Sequence, residues 1–121
     1  NSEVILHLKG GDSLCSVITN RSVDRLGLKP GKEAYGIVKA SDVILGRDLG
    51  NAKLSARNLL CGTVDRVLHG PVNAEVSLAL PGGTVLTAVV TEGSAKSLAL
   101  GKGEPACALI KSSNVILGVD G

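Results

Sequence analysis

Aromatic residues are almost absent from this chain: Tyr35 stands alone, with no Phe, Trp or Met. Proteins that hold single-stranded nucleic acid stack bases on aromatic side chains along a basic groove, and one tyrosine cannot supply such a platform. The net charge is only +2, with no run of like sign, so neither nucleic acid nor an acidic membrane surface is indicated as a partner. No apolar stretch approaches the roughly 18–20 residues of a membrane span, and no signal peptide is visible. Cysteine is scarce as well. Cys15, Cys61 and Cys107 are odd in number and lack a CxxC spacing, which reads as small buried apolar residues in a reducing cytosol. His7 and His69 have no metal-ligand spacing and read as ordinary strand or turn residues.

What the chain does contain is Val, Leu, Ile, Ala and Gly, the composition of small, tightly turned β-structure. It also contains a repeat. Residues 1–46 align on 73–118 at a constant offset of 72 without a gap, and 21 of the 46 pairs are identical by direct count. Asn1-Ser2-Glu3-Val4 lies over Asn73-Ala74-Glu75-Val76, and Val43-Ile44-Leu45-Gly46 over Val115-Ile116-Leu117-Gly118. Self-similarity of this kind divides the chain into two small modules that gain stability by packing on each other or by oligomerising. The segment Lys53 to Val72 has no counterpart before Asn1.

Val4, Leu6 and Leu8 alternate with Glu3, Ile5 and His7, as Val76, Leu78 and Leu80 do with Glu75, Ser77 and Ala79. That period of two, closed by Lys9-Gly10-Gly11-Asp12 or Pro81-Gly82-Gly83-Thr84, predicts a strand entering a hairpin. The returning strands are 13–19 and 85–91. Short helices follow at Ser22–Leu28 and Ser94–Leu100, preceded by residues of the N-cap type. Strands at 34–39 and 42–45, with counterparts at 106–111 and 114–117, complete each copy. Residues 47–52 read as a linker, and the extra segment as one more strand, with Leu59–Val64 and Val67-Leu68, leading through Gly70-Pro71 into the Asn73 strand. The expected organisation is a first module over 1–46 that lacks its N-terminal strand, a linker at 47–52 and a complete module over 53–121. Five short strands and one helix per module describe an all-β fold of tandem small barrels of the OB type.

Catalysis has little to stand on. No pair of carboxylates recurs, no histidine lies beside a repeated serine, and no glycine-rich phosphate loop precedes a long helix. Glu3 and Glu75 recur as single outward strand residues, which reads as a solvated or interface charge. What recurs otherwise is a set of hydrogen-bond donors: Thr19, Ser22 and Lys39 in one copy, Thr91, Ser94 and Lys111 in the other. Thr and Ser before a short helix serve simply as caps in many proteins, but here they recur together with a strand-end lysine. Ala40 or Ser112 follows that lysine at a turn, and the extra segment adds Ser55, the Ala56 amide and Arg57. Hydroxyls, amides, an ammonium and a guanidinium suit a tetrahedral oxyanion. Donors without acceptors favour a fully ionised dianion over hydrogen phosphate.

Ser55-Ala56-Arg57-Asn58, Gly62-Thr63-Val64, Val72-Asn73-Ala74-Glu75-Val76 and Lys111-Ser112-Ser113-Asn114-Val115-Ile116-Leu117-Gly118 together resemble the Mop (molbindin) module. The resemblance covers 53–121 completely and 1–46 from the module's second strand onward, so the chain resembles a di-Mop molbindin. It implies OB-like barrels that bind molybdate and tungstate at module or subunit interfaces. Ser55, Ala56 and Arg57 then form one side of a site, and Thr91, Ser94, Lys111 and Ser112, or Thr19, Ser22, Lys39 and Ala40, the other. Ser112 stands where the family has Ala, a harmless change if the backbone N–H is the ligand. Pro71 replaces a small residue and removes an amide donor.

The function implied is cytoplasmic storage and homeostasis of molybdate or tungstate by a homotrimer, with no cofactor, no metal bound directly by protein ligands, and no nucleic-acid or membrane partner. The alternative is the molybdate-sensing domain of a transcriptional regulator or a transport ATPase. Two Thr/Ser/Lys sets against one Ser/Arg set lead to the expectation that the polypeptide starts about twenty residues earlier, with a second SARN-like stretch.

Overall fold

The predicted alternation gives strand β1 (Ser2–His7), in which Val4 and Leu6 turn inward while Glu3, Ile5 and His7 are exposed. The computed structural model describes residues 1–121. After β1 come β2 (Ser13–Ile18), α1 (Asn20–Leu26), β3 (Tyr35–Val38) and β4 (Ile44–Gly46). The second half contains β5 (Asn58–His69), β6 (Asn73–Ala79), β7 (Val85–Thr91), α2 (Glu92–Ser97), β8 (Pro105–Ile110) and β9 (Val115–Gly118). Single 3-10 turns at Ala40–Asp42, Pro81–Gly83 and Ser112–Asn114 join the strands. The fold is all-β with two short helices, and no helix is long and apolar enough to cross a membrane.

Strand pairing crosses between the copies. One sheet runs β4-β8-β5-β6-β7, and two further pairs are β1-β2 and β3-β9. Strand β4, from the first copy, lies antiparallel to β8 with Ile44 opposite Leu109. Reciprocally, β9 from the second copy lies on β3 with Val115 opposite Val38. Each copy therefore gives its last strand to the other. The apolar faces meet in one shared cluster that includes Leu14, Val43 and Leu45 from the first copy and Val76, Leu78, Ile110 and Val115 from the second. Neither copy holds a separate core.

Local chemistry sets the boundaries. Thr19 and Thr91 cap the helices by accepting the Ser22 and Ser94 N–H groups, so the helices begin at Asn20 and Glu92, two residues before the expected starts. The first helix ends on Gly27 in the left-handed region, φ 65°. Its counterpart Ala99 takes the same conformation, φ 51°, against its own steric preference. Arg47, in the segment read as a linker, donates to the Leu98 and Ala99 carbonyls at 3.1 and 3.2 Å and pairs with Glu104 at 2.9 Å. Residues 40–42 form a 3-10 turn rather than the start of a strand, because the Asp42 N–H turns back to the Lys39 carbonyl. The extra segment is a single 12-residue strand with a bulge between Val64 and Arg66.

One expectation is overturned. Cys61 and Cys107 lie directly opposite each other on β5 and β8 and form a disulfide, so only Cys15 is a free buried thiol. A separation of 46 residues gave no hint of a pairing that depends on strand register. His7 contacts the Ser13 hydroxyl, and His69 approaches Glu92 at 2.5 Å.

The two glycine turns pack back to back. A Cβ on Gly10 would lie 2.3 Å from the Pro81 carbonyl, and one on Gly82 would lie 2.4 Å from that of Lys9. Gly10 and Gly82 have φ of +87° and +85°, in the left-handed region. Gly10→Ala and Gly82→Ala are each expected to destabilise by about 2–4 kcal/mol, from backbone collision added to strain. Gly11→Ala, with φ 100° and open space around it, should cost about 1 kcal/mol. Ala99→Gly should instead stabilise by about 0.5–1 kcal/mol. Urea denaturation of the four variants checks the order.

Candidate functional site

Ser55 and Arg57 are exposed on the short approach to β5, with Ala56 half-buried between them. Asn58 anchors this approach. It is only 2% exposed, and its side-chain amide accepts from the Cys15 N–H at 2.7 Å and donates to the Cys15 carbonyl at 2.8 Å. The amide thus acts as one extra peptide unit, stitching the head of β5 to β2 of the other copy. Arg57 then projects over β1, where its Nη1 and Nη2 meet the two Glu3 carboxylate oxygens at 2.5 and 3.1 Å. This hydrogen-bonded pairing raises the Arg57 pKa above its ordinary value. Burial pushes the nearby Cys15 thiol up, although the Arg57 charge works against it.

The β5–β8 register sets Asn58 opposite Ile110. Arg57 and Lys111 are the residues that flank this last pair in the chain, and Glu3 is the carboxylate on Arg57. Glu3 uses two of the five guanidinium N–H groups, which leaves three for a ligand.

The 3-10 turn after Lys111 packs against β2, the strand that leads into Thr19. Ser16, fully buried in β2, donates to the Val115 carbonyl at 2.7 Å and fixes that contact. The equivalent turn after Lys39 packs against β7, which leads into Thr91. The structure thus sets the head of β5 and the turn after Lys111 against β2, the strand leading into Thr19, and the turn after Lys39 against the strand leading into Thr91. In each threonine–serine pair the Thr hydroxyl donates to the Ser hydroxyl, at 2.9 Å for Thr19–Ser22 and 2.7 Å for Thr91–Ser94. The serine O–H is left as the outward donor. Thr19, Thr91, Ser94, Lys39 and Lys111 are exposed, so these groups are presented on the surface.

Glu3, read from the sequence as a solvated or interface charge, is exposed and holds the Arg57 fork, and Asn58 was given no role by the sequence. Asn58 adjoins Arg57, but its partner is a backbone 43 residues away, which no spacing reveals.

A TOBE domain family model matches residues 1–45 and 54–117. The chain is 47% identical over 119 residues to a protein of Azotobacter vinelandii named molybdenum transport protein ModE, covering 98% of this chain and 44% of that protein. It is 45% identical over 119 residues to the molybdenum-pterin-binding protein MopA of Rhodobacter capsulatus, again covering 98% of this chain and 45% of the relative. The chain thus spans less than half the length of these two relatives. Among solved structures it is similar to the cytoplasmic molybdate-binding protein ModG with molybdate bound, at 50% identity and a TM-score of 0.93, covering 98% of this chain and 84% of that one.

Asn58→Ala would leave the Cys15 N–H and carbonyl buried without their partner. A loss of about 2–4 kcal/mol is expected in chemical denaturation. A cost below about 0.5 kcal/mol would show that the stitch between the copies is dispensable.

Proposed function

The chain belongs to the TOBE-domain family and is a di-Mop protein, and from that premise we propose that it binds molybdate as an intact oxyanion. Support for this reading comes from the packing of the turn after Lys111, and of the head of β5 that bears Arg57, against β2, the strand that leads into Thr19. The arrangement supports binding rather than catalysis, since it presents charge and hydrogen-bond donors without a nucleophile–base pair.

The donors divide the work by chemistry. Arg57 offers a planar fork already oriented by Glu3, so little side-chain freedom is lost when an anion docks. Lys111 supplies a mobile point charge. Ser22, Ser55 and the amides at Ala56 and Ser112 provide directional N–H and O–H groups for the remaining oxygens. In the second set, Thr91, Ser94, Lys39 and Ala40 play the corresponding parts. Tungstate, of the same charge and shape, is accepted by the same groups.

The proposed biological role is storage and homeostasis of the oxyanion by a homotrimer in the cytoplasm. Exposed half-sites support assembly, as do surface apolar residues such as Ile44 and Ile116, 60% and 61% exposed.

Equilibrium titration with molybdate, tungstate, sulfate and phosphate, with stoichiometry per chain, tests the proposal. Molybdate and tungstate are expected to bind and phosphate to bind weakly at neutral pH. Arg57→Ala and Lys111→Ala should each weaken molybdate binding on the order of tenfold or more. Unchanged affinity in both variants would remove this site.

A further inference from the structure

Strand β8 lies between β4 and β5, and the register lines up Gly46, Cys107 and Cys61 in one row across the three strands. Opposed residues of antiparallel strands share a face. Both sulfurs therefore stand on the face opposite to the one that sends Leu60, Ala106 and Ala108 into the core. Their access differs. Cys61 is exposed, whereas Cys107 is only 9% exposed. Gly46 adds no side chain to the row, and Leu49 folds over it instead, since a Cβ on Gly46 would lie 2.5 Å from Leu49 Cδ1. In the first copy the equivalent of Cys107 is Tyr35, whose ring covers Gly118, the equivalent of Gly46. The sulfur pair is thus particular to the second copy, and the oxyanion site makes no use of it.

We propose that Cys61–Cys107 is a thiol-exchange site, at which a small-molecule thiol attacks the Cys61 sulfur and Cys107 is the leaving and resolving thiol. Exchange proceeds by attack of a thiolate on one sulfur of a disulfide, and access decides which sulfur is attacked. The incoming thiolate bonds to Cys61 Sγ as the bond between Cys61 and Cys107 breaks, and the electron pair leaves on Cys107 Sγ. A second small thiolate then attacks its own kind in the mixed disulfide, releasing the small-molecule disulfide and the Cys61 thiolate. The two protein thiolates take up the protons that the two small thiols gave up. With the small-molecule disulfide as oxidant the same steps run backwards, and Cys107 displaces the small thiol from Cys61 to close the bond.

Position gives the exchange a consequence. Cys61–Cys107 is the fourth pair of the ladder that starts at Asn58–Ile110, and Arg57 and Lys111 flank that start. A closed bond holds the two strands together, while an open one leaves backbone pairing alone to resist fraying from the head. Exchange itself needs no anion. Only its effect on ligand affinity rests on the molybdate reading.

The test starts from the full chain and two single variants, all reduced and then given glutathione disulfide, quenched with acid and mapped by mass spectrometry. The unsubstituted chain should reclose the Cys61–Cys107 bond. Cys107→Ser, which lacks the resolving thiol, should retain a glutathione adduct on Cys61, and Cys61→Ser should form one on Cys107 about tenfold more slowly. Cys15, free and buried, should stay unmodified throughout. Equal adduct rates in the two variants, labelling of Cys15 as fast as Cys61, or failure of the reduced chain to reclose would each overturn the exchange site. Amide hydrogen exchange and molybdate titration of the oxidised and reduced chains read the consequence. Reduction should speed exchange over residues 58–61 and 107–110 and weaken molybdate binding a few-fold. Unchanged values would overturn the coupling and leave the exchange site standing, and absence of molybdate binding in both states would overturn the oxyanion reading alone.

Discussion

The exchange of last strands between the two repeat copies is the constraint on which the rest depends. Strand β4 closes the sheet of the second copy and β9 pairs with β3 of the first, so the chain passes from one copy to the other before either can close. One apolar cluster results, drawn from both copies. A domain of about half this length would bury too small a core to be comfortably stable alone, and the exchange removes that difficulty by making one core from two halves. It also brings the turns of the two hairpins into contact so close that only glycine fits at positions 10 and 82.

The same crossing builds the candidate site. Without it, Lys111 would end a strand far from the helix mouth at Thr19. With it, the turn after Lys111 packs on β2, and the Asn58 amide fixes the head of β5 to that strand from the other side. The donors that would hold an oxyanion therefore come from segments distant in sequence, and their geometry is set by a sheet rather than by a flexible loop. Preorganisation of this kind reduces the ordering cost of binding.

Much of this was legible in the chain because the repeat aligned without gaps. Strand positions, both hairpin turns, both short helices and the absence of a β5 counterpart all follow from period-two alternation and the offset of 72. What was hidden are contacts that depend on register between distant strands. Nothing local to Cys61 points to Cys107, and nothing near Asn58 points to the backbone of Cys15. The sequence started each helix at a serine and read the threonine before it as a cap-type residue; the threonine is the cap, and the helix begins directly after it. Pairing choice is a property of the assembled sheet, and a linear pattern carries only half of it.

Charge at the site raises a further point. Arg57 is paired with Glu3, so together with Lys111 the groups proposed to hold the ligand carry one net positive charge rather than two. Two unscreened cations at the end of a ladder would repel and would favour splayed side chains. Glu3 lowers that repulsion and holds the guanidinium plane fixed, but it also repels an incoming anion. The balance falls in favour of binding if the anion is doubly charged and reaches the three remaining guanidinium N–H groups and the ammonium together. A singly charged ligand gains about half that net attraction, because its attraction to the cations and its repulsion from Glu3 both scale with its charge. Glu3 therefore acts on the proposed site chiefly by orienting the guanidinium.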